Sequence, residues 1–312
     1  MNICSLVPGA TEVVAALGLE DRLVGISHEC DTPGTLAHVP VMVRGRIDSH
    51  RLSSAQIDAQ VGELLSGGSG LYELDEARLL AAKPDLLITQ DLCEVCAITP
   101  AQVARVLRTL SPTPRMVTLN PHRLEDVLCD IERLGAAMER EEAGKQLADA
   151  LRRRLDAVRA TVRAESRHIH VACLEWLSPL YSAGHWVPDM VEAAGGTDAL
   201  ATAGRPSGRI EWEALAACAP DVIVLMPCGF TIARTKAELA AITHHPEWQR
   251  LPAVQRGEVY LVDALSYFSR PGPRLVEGVE QLAAILHPSC YDRRLPAAVE
   301  RLATPETSTP IL

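Results

Sequence analysis

The stretch DEARLLAAKPDLLITQDLC, residues 75–93, returns in altered form as EWEALAACAPDVIVLMPCG, residues 211–229. Pro84 falls on Pro220, Asp85 on Asp221, and Cys93 lands one place from Cys228. Each copy reads as a short helix, a Pro-Asp turn and a buried apolar strand, LLIT or VIVLM, ending in a polar loop that carries cysteine. Such a repeat constrains the chain to two related α/β lobes with equivalent loops.

The rest of the chain fits that frame. Residues 1–122 alternate strands at 2–7, 22–26, 85–89 and 115–119 with helices at 10–17, 54–65, 75–82 and 100–109, the pattern of a mainly parallel sheet covered by helices. Residues 123–166 form a charged helical stretch with apolar spacing at Leu147, Leu151, Leu155 and Val158 and an expected break near Gly144. Residues 167–288 resume the alternation, with strands at 168–175, 221–226 and 258–262. The tail, 289–312, holds Pro296, Pro305 and Pro310 and reads as loosely packed. At 312 residues and 47% hydrophobic content there is material for two cores.

A formal net charge of -10 argues against a nucleic-acid or anionic-membrane surface, since both demand a basic patch. Small molecules or proteins are the better partners. No apolar run is long enough to span a bilayer, so no membrane insertion is expected. Met1 leads straight into the strand-like NICSLV with no visible leader, so the expected location is cytoplasmic, or periplasmic if a leader has been removed. Nine cysteines in such a compartment are expected as thiols or metal ligands, not a disulfide framework.

Three segments carry a family resemblance: SLVPGATEVVAALGLEDRLVGISHECD, LLAAKPDLLITQ and RGEVYLVDALSYFSRPGPRLVEGVEQLAAIL. Together they resemble the helical-backbone (class III) periplasmic-binding-protein-like family, the cobalamin-, siderophore- and haem-binding proteins of ABC importers, over residues 1–287. The S-L-x-P-x-A-T-E-x-x-x-A-L-G-L pattern from Ser5 to Leu19 is similar to its cobalamin-binding branch. The resemblance implies an α/β fold of two Rossmann-like lobes joined by a long rigid helix, with one ligand in a cleft between the lobes. It also implies a cobalamin-like or other metal-chelate ligand, and a transporter that docks on surface glutamates of each lobe. This chain has too many acidic residues to nominate two, and docking has no support without a signal peptide.

Candidate ligand-binding residues follow from the ends of strands. Pro8 ends the first strand, and Thr11 and Glu12 open a helix whose free N–H groups suit an anionic or carbonyl group. Equally, Thr11 caps that helix and Glu12 is a first-turn carboxylate. His28 follows the second strand. In the second lobe Glu175, Trp176, Tyr181, His185 and Trp186 cluster after a strand in a chain with only 4% aromatic residues, and flat rings suit a corrinoid or porphyrin. Trp176 reads as core filling at least as well, which leaves Trp186 as the better cleft residue. A third patch is Tyr267, Phe268, Ser269 and Arg270.

The family resemblance does not account for Cys30, Cys93, Cys96 and Cys228, each placed just after a strand, where open α/β sheets gather ligands. Cys93 and Cys96 form C-x-x-C, which fits a shared metal or a redox dithiol. Four thiolates suit an iron-sulfur cluster or zinc equally by count. The alternative function is therefore a cytosolic metalloprotein or enzyme with its cluster on these four cysteines. Cys4, Cys129, Cys173 and Cys218 read as buried small hydrophobes. No Ser/His/Asp triad, P-loop or G-x-G-x-x-G is present, so no catalytic residue is nominated.

Overall fold

A computed structural model describes residues 1–68, 70–92, 100–108, 112–163, 168–291 and 295–303. It divides into two compact units, Met1–Asp156 with Arg270–Val276, and Ala157–Ser269 with Glu277–Leu312. Each holds one sheet, and the fold is α/β in both.

In unit 1 the order is β1 (Ile3–Ser5), α1 (Pro8–Ala16), β2 (Leu23–Ser27), β3 (Val41–Gly45), α2 (Ser54–Ser66), β4 (Tyr72–Leu74), α3 (Glu76–Ala82), β5 (Leu86–Gln90), α4 (Pro100–Leu107), β6 (Arg115–Leu119), α5 (Leu124–Ala137) and α6 (Glu141–Val162), which runs on into unit 2. The sheet order is β4-β3-β2-β1-β5-β6, parallel except for β4 against β3. β1 and β5 are buried along their whole length, as central parallel strands covered on both faces must be. Two edge-side strands, β3 and β4, have no counterpart in the sequence reading.

Unit 2 contains β7 (His170–Leu177), β8 (Leu180–Ser182), α7 (Val187–Ala193), β9 (Thr197–Asp198), β10 (Gly208–Arg209), α8 (Trp212–Cys218), β11 (Val222–Leu225), α9 (Ile232–Glu238), α10 (Ala240–Thr243), α11 (Pro246–Arg250), α12 (Pro252–Gln255), β12 (Val259–Val262), α13 (Ala264–Tyr267), α14 (Leu275–Leu286, entering from unit 1) and β13 (Val299–Arg301). Its sheet runs β10-β8-β7-β11-β12-β13, with β9 also on β7. Leu174, Ile223, Leu225, Leu215, Trp248 and Leu261 form its core.

The helix end and Pro-Asp turn of the repeat recur in the structure. α3 and α8 both end on a non-glycine residue in the left-handed region, Lys83 (φ 44°) and Ala219 (φ 41°), followed by Pro-Asp. Asp85 Oδ2 accepts the Asn2 N–H at 2.6 Å and the Asp85 N–H donates to Asn2 O at 2.8 Å. Asp221 makes the same two bonds with His170, at 3.0 and 2.8 Å. In each unit the aspartate thus pins the entrance of one central strand to that of its neighbour.

Two expectations are corrected. The helical stretch breaks at 138–140, where Glu139 takes φ 59°, and not at Gly144. Gly144 lies inside α6 because its Cα packs against Gly135 of α5, where a Cβ on Gly135 would stand 2.8 Å away. The tail is also not loose throughout: Val299 is buried, β13 pairs antiparallel with β12, and Arg301 reaches Glu258 at 2.6 Å. Among the described residues no helix is long and apolar enough to cross a membrane.

Candidate functional site

The strand ends of unit 1 lead into α1, which starts at Pro8, where a missing N–H costs nothing. Thr11 does not cap this helix. Its N–H already donates to Val7 O at 3.0 Å, and its fully buried hydroxyl lies 2.8 Å from Ser5 Oγ and 3.1 Å from Cys30 Sγ. Nor is Glu12 a solvated first-turn carboxylate. It is 7% exposed and accepts from Arg274 Nη2 at 2.5 Å, with Arg270 Nη1 at 4.0 Å. Burial pushes its carboxyl above the usual glutamate range, although the Arg274 hydrogen bond and both guanidinium charges pull it partway back.

Arg270 is likewise buried. It donates to Asp31 through two nitrogens, at 2.5 and 3.3 Å, and to Glu29 O at 2.8 Å. Burial pushes the Asp31 carboxyl up, but the Arg270 hydrogen bond and charge outweigh this and hold it below the usual range. Gly9 is required beneath this segment, since any Cβ there would collide with the Pro271 carbonyl. Exposed His28 has Nδ1 3.2 Å from Val43 O and Nε2 3.2 Å from Glu29, whose carboxyl it lowers by that hydrogen bond. Unit 1 therefore presents a closed acid–guanidinium network and not open helix donors.

In unit 2 the ends of β7 and β11 form an aromatic rim. Half-buried Trp176 lies 5.2 Å from Phe230, centroid to centroid, tilted by 58°. The Arg234 guanidinium stands 4.8 Å over the Phe230 ring and its Nη2 lies 3.1 Å from Glu238. The loop that carries Phe230 is tied down on three sides: Cys228 N–H donates to Glu175 O at 2.9 Å, Gly229 N–H to Ser269 Oγ at 3.0 Å, and Leu265 N–H to Phe230 O at 3.0 Å. Phe230 and Arg234 were missed by the sequence reading. The signal was there, for the chain has two phenylalanines and the second, Phe268, is already in the third patch.

The two tryptophans differ in burial from the sequence expectation, Trp176 being half-buried and Trp186 buried. Trp186 is 5% exposed, and its indole N–H donates to Phe268 O at 2.8 Å, so it is a satisfied core residue. Phe268 is buried with it, and half-buried Tyr267 ends α13. His185 is half-buried at φ 51°, held by its N–H to Arg205 O at 2.5 Å and by Gly204 N–H to its own carbonyl at 2.9 Å. Arg270 separates from this patch and belongs to unit 1.

The four-thiolate set gains no support. Cys93 and Cys96 lie outside the described residues. Cys30 is buried, with burial pushing its thiol up to about 11 despite hydrogen bonds from its surroundings. Cys228 is exposed, as is Cys129, which was expected inside. Among the described residues no three His, Cys, Asp or Glu side chains gather in a way that could hold a metal ion.

Comparison with known proteins agrees with this architecture. A vitamin B12-binding protein of Vibrio cholerae is 27% identical over 290 residues, 91% of this chain and 88% of the relative. The solved periplasmic vitamin B12 binding protein of Vibrio cholerae superposes with TM-score 0.66 at 24% identity, covering 91% of this chain and 96% of that one. A periplasmic heme-binding protein from Roseiflexus gives TM-score 0.69 at 20% identity, covering 92% and 97%. At these identities the solved structures speak for the fold. The match to the Periplasmic binding protein family runs over residues 3–265, most of the chain, and so this chain belongs to that family.

Proposed function

We propose that this protein captures a cobalamin-like metal chelate and delivers it to an ABC transporter. The observation that carries this reading is the Trp176–Phe230 pair: a partly exposed indole braced on a buried ring, at the ends of adjacent parallel strands, on a loop fixed by three backbone N–H bonds. A partly exposed indole held in place by a buried ring tilted 58° beneath it is a pre-formed apolar contact, and such a contact suits a macrocycle, which loses little freedom on binding. The Vibrio cholerae relative, whose name is that of a vitamin B12 binder, supports the same ligand class.

The test is a titration of the purified protein with cyanocobalamin, followed by tryptophan fluorescence and the corrin spectrum. Saturable quenching with a dissociation constant of about 1 μM or below is expected. A flat response up to about 1 mM ligand, a window of roughly 4 kcal/mol in binding, would remove the reading.

A further inference from the structure

The aromatic rim of unit 2 carries a guanidinium that looks suited to a ligand carboxylate, yet the chain has already given it an acid. Arg234 is partly exposed, and a lone arginine beside a flat ring is a ready fork for a carboxylate. Glu238 stands one turn further along α9 with 8% of its side chain exposed, 3.1 Å from Arg234 Nη2. Thr231 accepts the Arg234 N–H at 3.3 Å and caps the same helix, so the pair is fixed by the backbone.

We propose that Glu238 sets the charge selectivity of the ligand site by neutralising Arg234, so that the rim accepts a macrocycle with uncharged amide edges and rejects one that carries carboxylates. This rests on the macrocycle reading above. A ligand carboxylate that approached Arg234 would give up its water for a guanidinium whose charge Glu238 already matches at 3.1 Å, so the loss of hydration would go without a compensating attraction. The net charge of -10 adds long-range repulsion of anions. Arg46, just past β3, is an exposed cation of unit 1 and serves as a control.

The decisive probes are haemin and its dimethyl ester, the same macrocycle and metal with and without two carboxylates, presented in the same detergent micelles. Soret difference spectra and tryptophan quenching give both dissociation constants for the full chain. The ester should bind about tenfold tighter, and raising the salt should narrow that gap several-fold because the repulsion is screened. In E238Q the ratio should shift by about tenfold toward the diacid, and adding Arg234→Gln should cancel that shift. Equal affinity for ester and diacid in the unmodified protein overturns the proposal alone, as does an unmoved ratio in folded E238Q, or a dependence of haemin binding on Arg46→Ala. Where E238Q does not fold, Arg234→Gln alone decides the matter: it removes the cation beside the acid, so the ratio should move further toward the ester, and an unmoved ratio overturns the proposal. If neither haemin form nor cyanocobalamin binds, the macrocycle reading falls, and this proposal with it.

Discussion

Gly9 and Gly272 meet backbone to backbone: a Cβ on Gly272 would stand 2.9 Å from the Gly9 Cα. That contact seats the segment Arg270–Val276 on the first turn of α1, where Arg274 reaches Glu12 and Leu275 and Val276 are buried. Gly9→Ala tests it with opposed effects of known size. Alanine in a helix gains about 0.5–1 kcal/mol over glycine, while forcing a methyl into filled space costs about 1–3 kcal/mol. Because the obstacle is the Pro271 carbonyl and not a flexible side chain, the clash should win, and the thermal midpoint should fall by several degrees. An unchanged midpoint by circular dichroism would show that the segment is not seated there.

The acids of this network should show opposite pH signatures. The folded-state pKa of Glu12 is raised, so its contribution to stability is complete below the unfolded value and is lost as pH rises through the folded one. That of Asp31 is lowered, so its contribution is present above the unfolded value near 3.9 and is lost as pH falls through the folded one. In urea titrations from pH 3.5 to 7, Glu12→Gln should gain on the unmodified protein as pH rises from about 4. Asp31→Asn should cost up to about 1 kcal/mol at pH 7, modest because Asp31 is half exposed, and that cost should fade below about pH 4. Parallel curves for the two variants would contradict the assignment.

The tryptophans separate binding from stability. Trp176→Ala should weaken cyanocobalamin binding by about tenfold with little change in midpoint. Trp186→Phe, which removes the hydrogen bond to Phe268 O, should cost about 1–2 kcal/mol of stability and leave the dissociation constant within about twofold. The reverse result would restore Trp186 as the ligand-facing ring.

Thiol reactivity offers an independent check on burial. In the folded protein Cys129, Cys228 and Cys290 should react with a disulfide reagent within the fast phase, and Cys4, Cys30 and Cys173 only as the chain unfolds. Rapid modification of Cys30 would mean that the contact between its thiol and Thr11 is not maintained.

What the sequence disclosed was mostly local. The helix, Pro-Asp turn and strand of the repeat lie within one short stretch, and hydrophobic runs report their burial directly, so β5 and β11 were legible. The clamp that gives Asp85 and Asp221 their purpose was not, since their partners Asn2 and His170 lie far back along the chain. Lys83 and Ala219 hid two left-handed helix ends because neither is glycine. Glu12 looked like an ordinary first-turn acid while its partner, Arg274, waits 262 positions later. Trp176 and Trp186 share composition and neighbourhood, and only the carbonyl that satisfies one indole tells them apart. Phe230 is brought beside Trp176 by a loop whose Gly229 N–H donates to Ser269 Oγ, forty positions away, and no local pattern announces that contact.

The discontinuity of unit 1 imposes an order on synthesis. Residues up to Asp156 leave the ribosome first, but Gly9 and Glu12 cannot be covered until Arg270–Val276 has been made, and all of Ala157–Ser269 comes between. At bacterial or eukaryotic elongation speeds that interval is on the order of ten seconds. Throughout it the nascent chain carries an unfinished first turn of α1 and a glutamate without its arginine. The half-made protein therefore exposes the first turn of α1 to proteases and chaperones, and a translation pause ahead of codon 270 should lower its yield more than the same pause placed after codon 276.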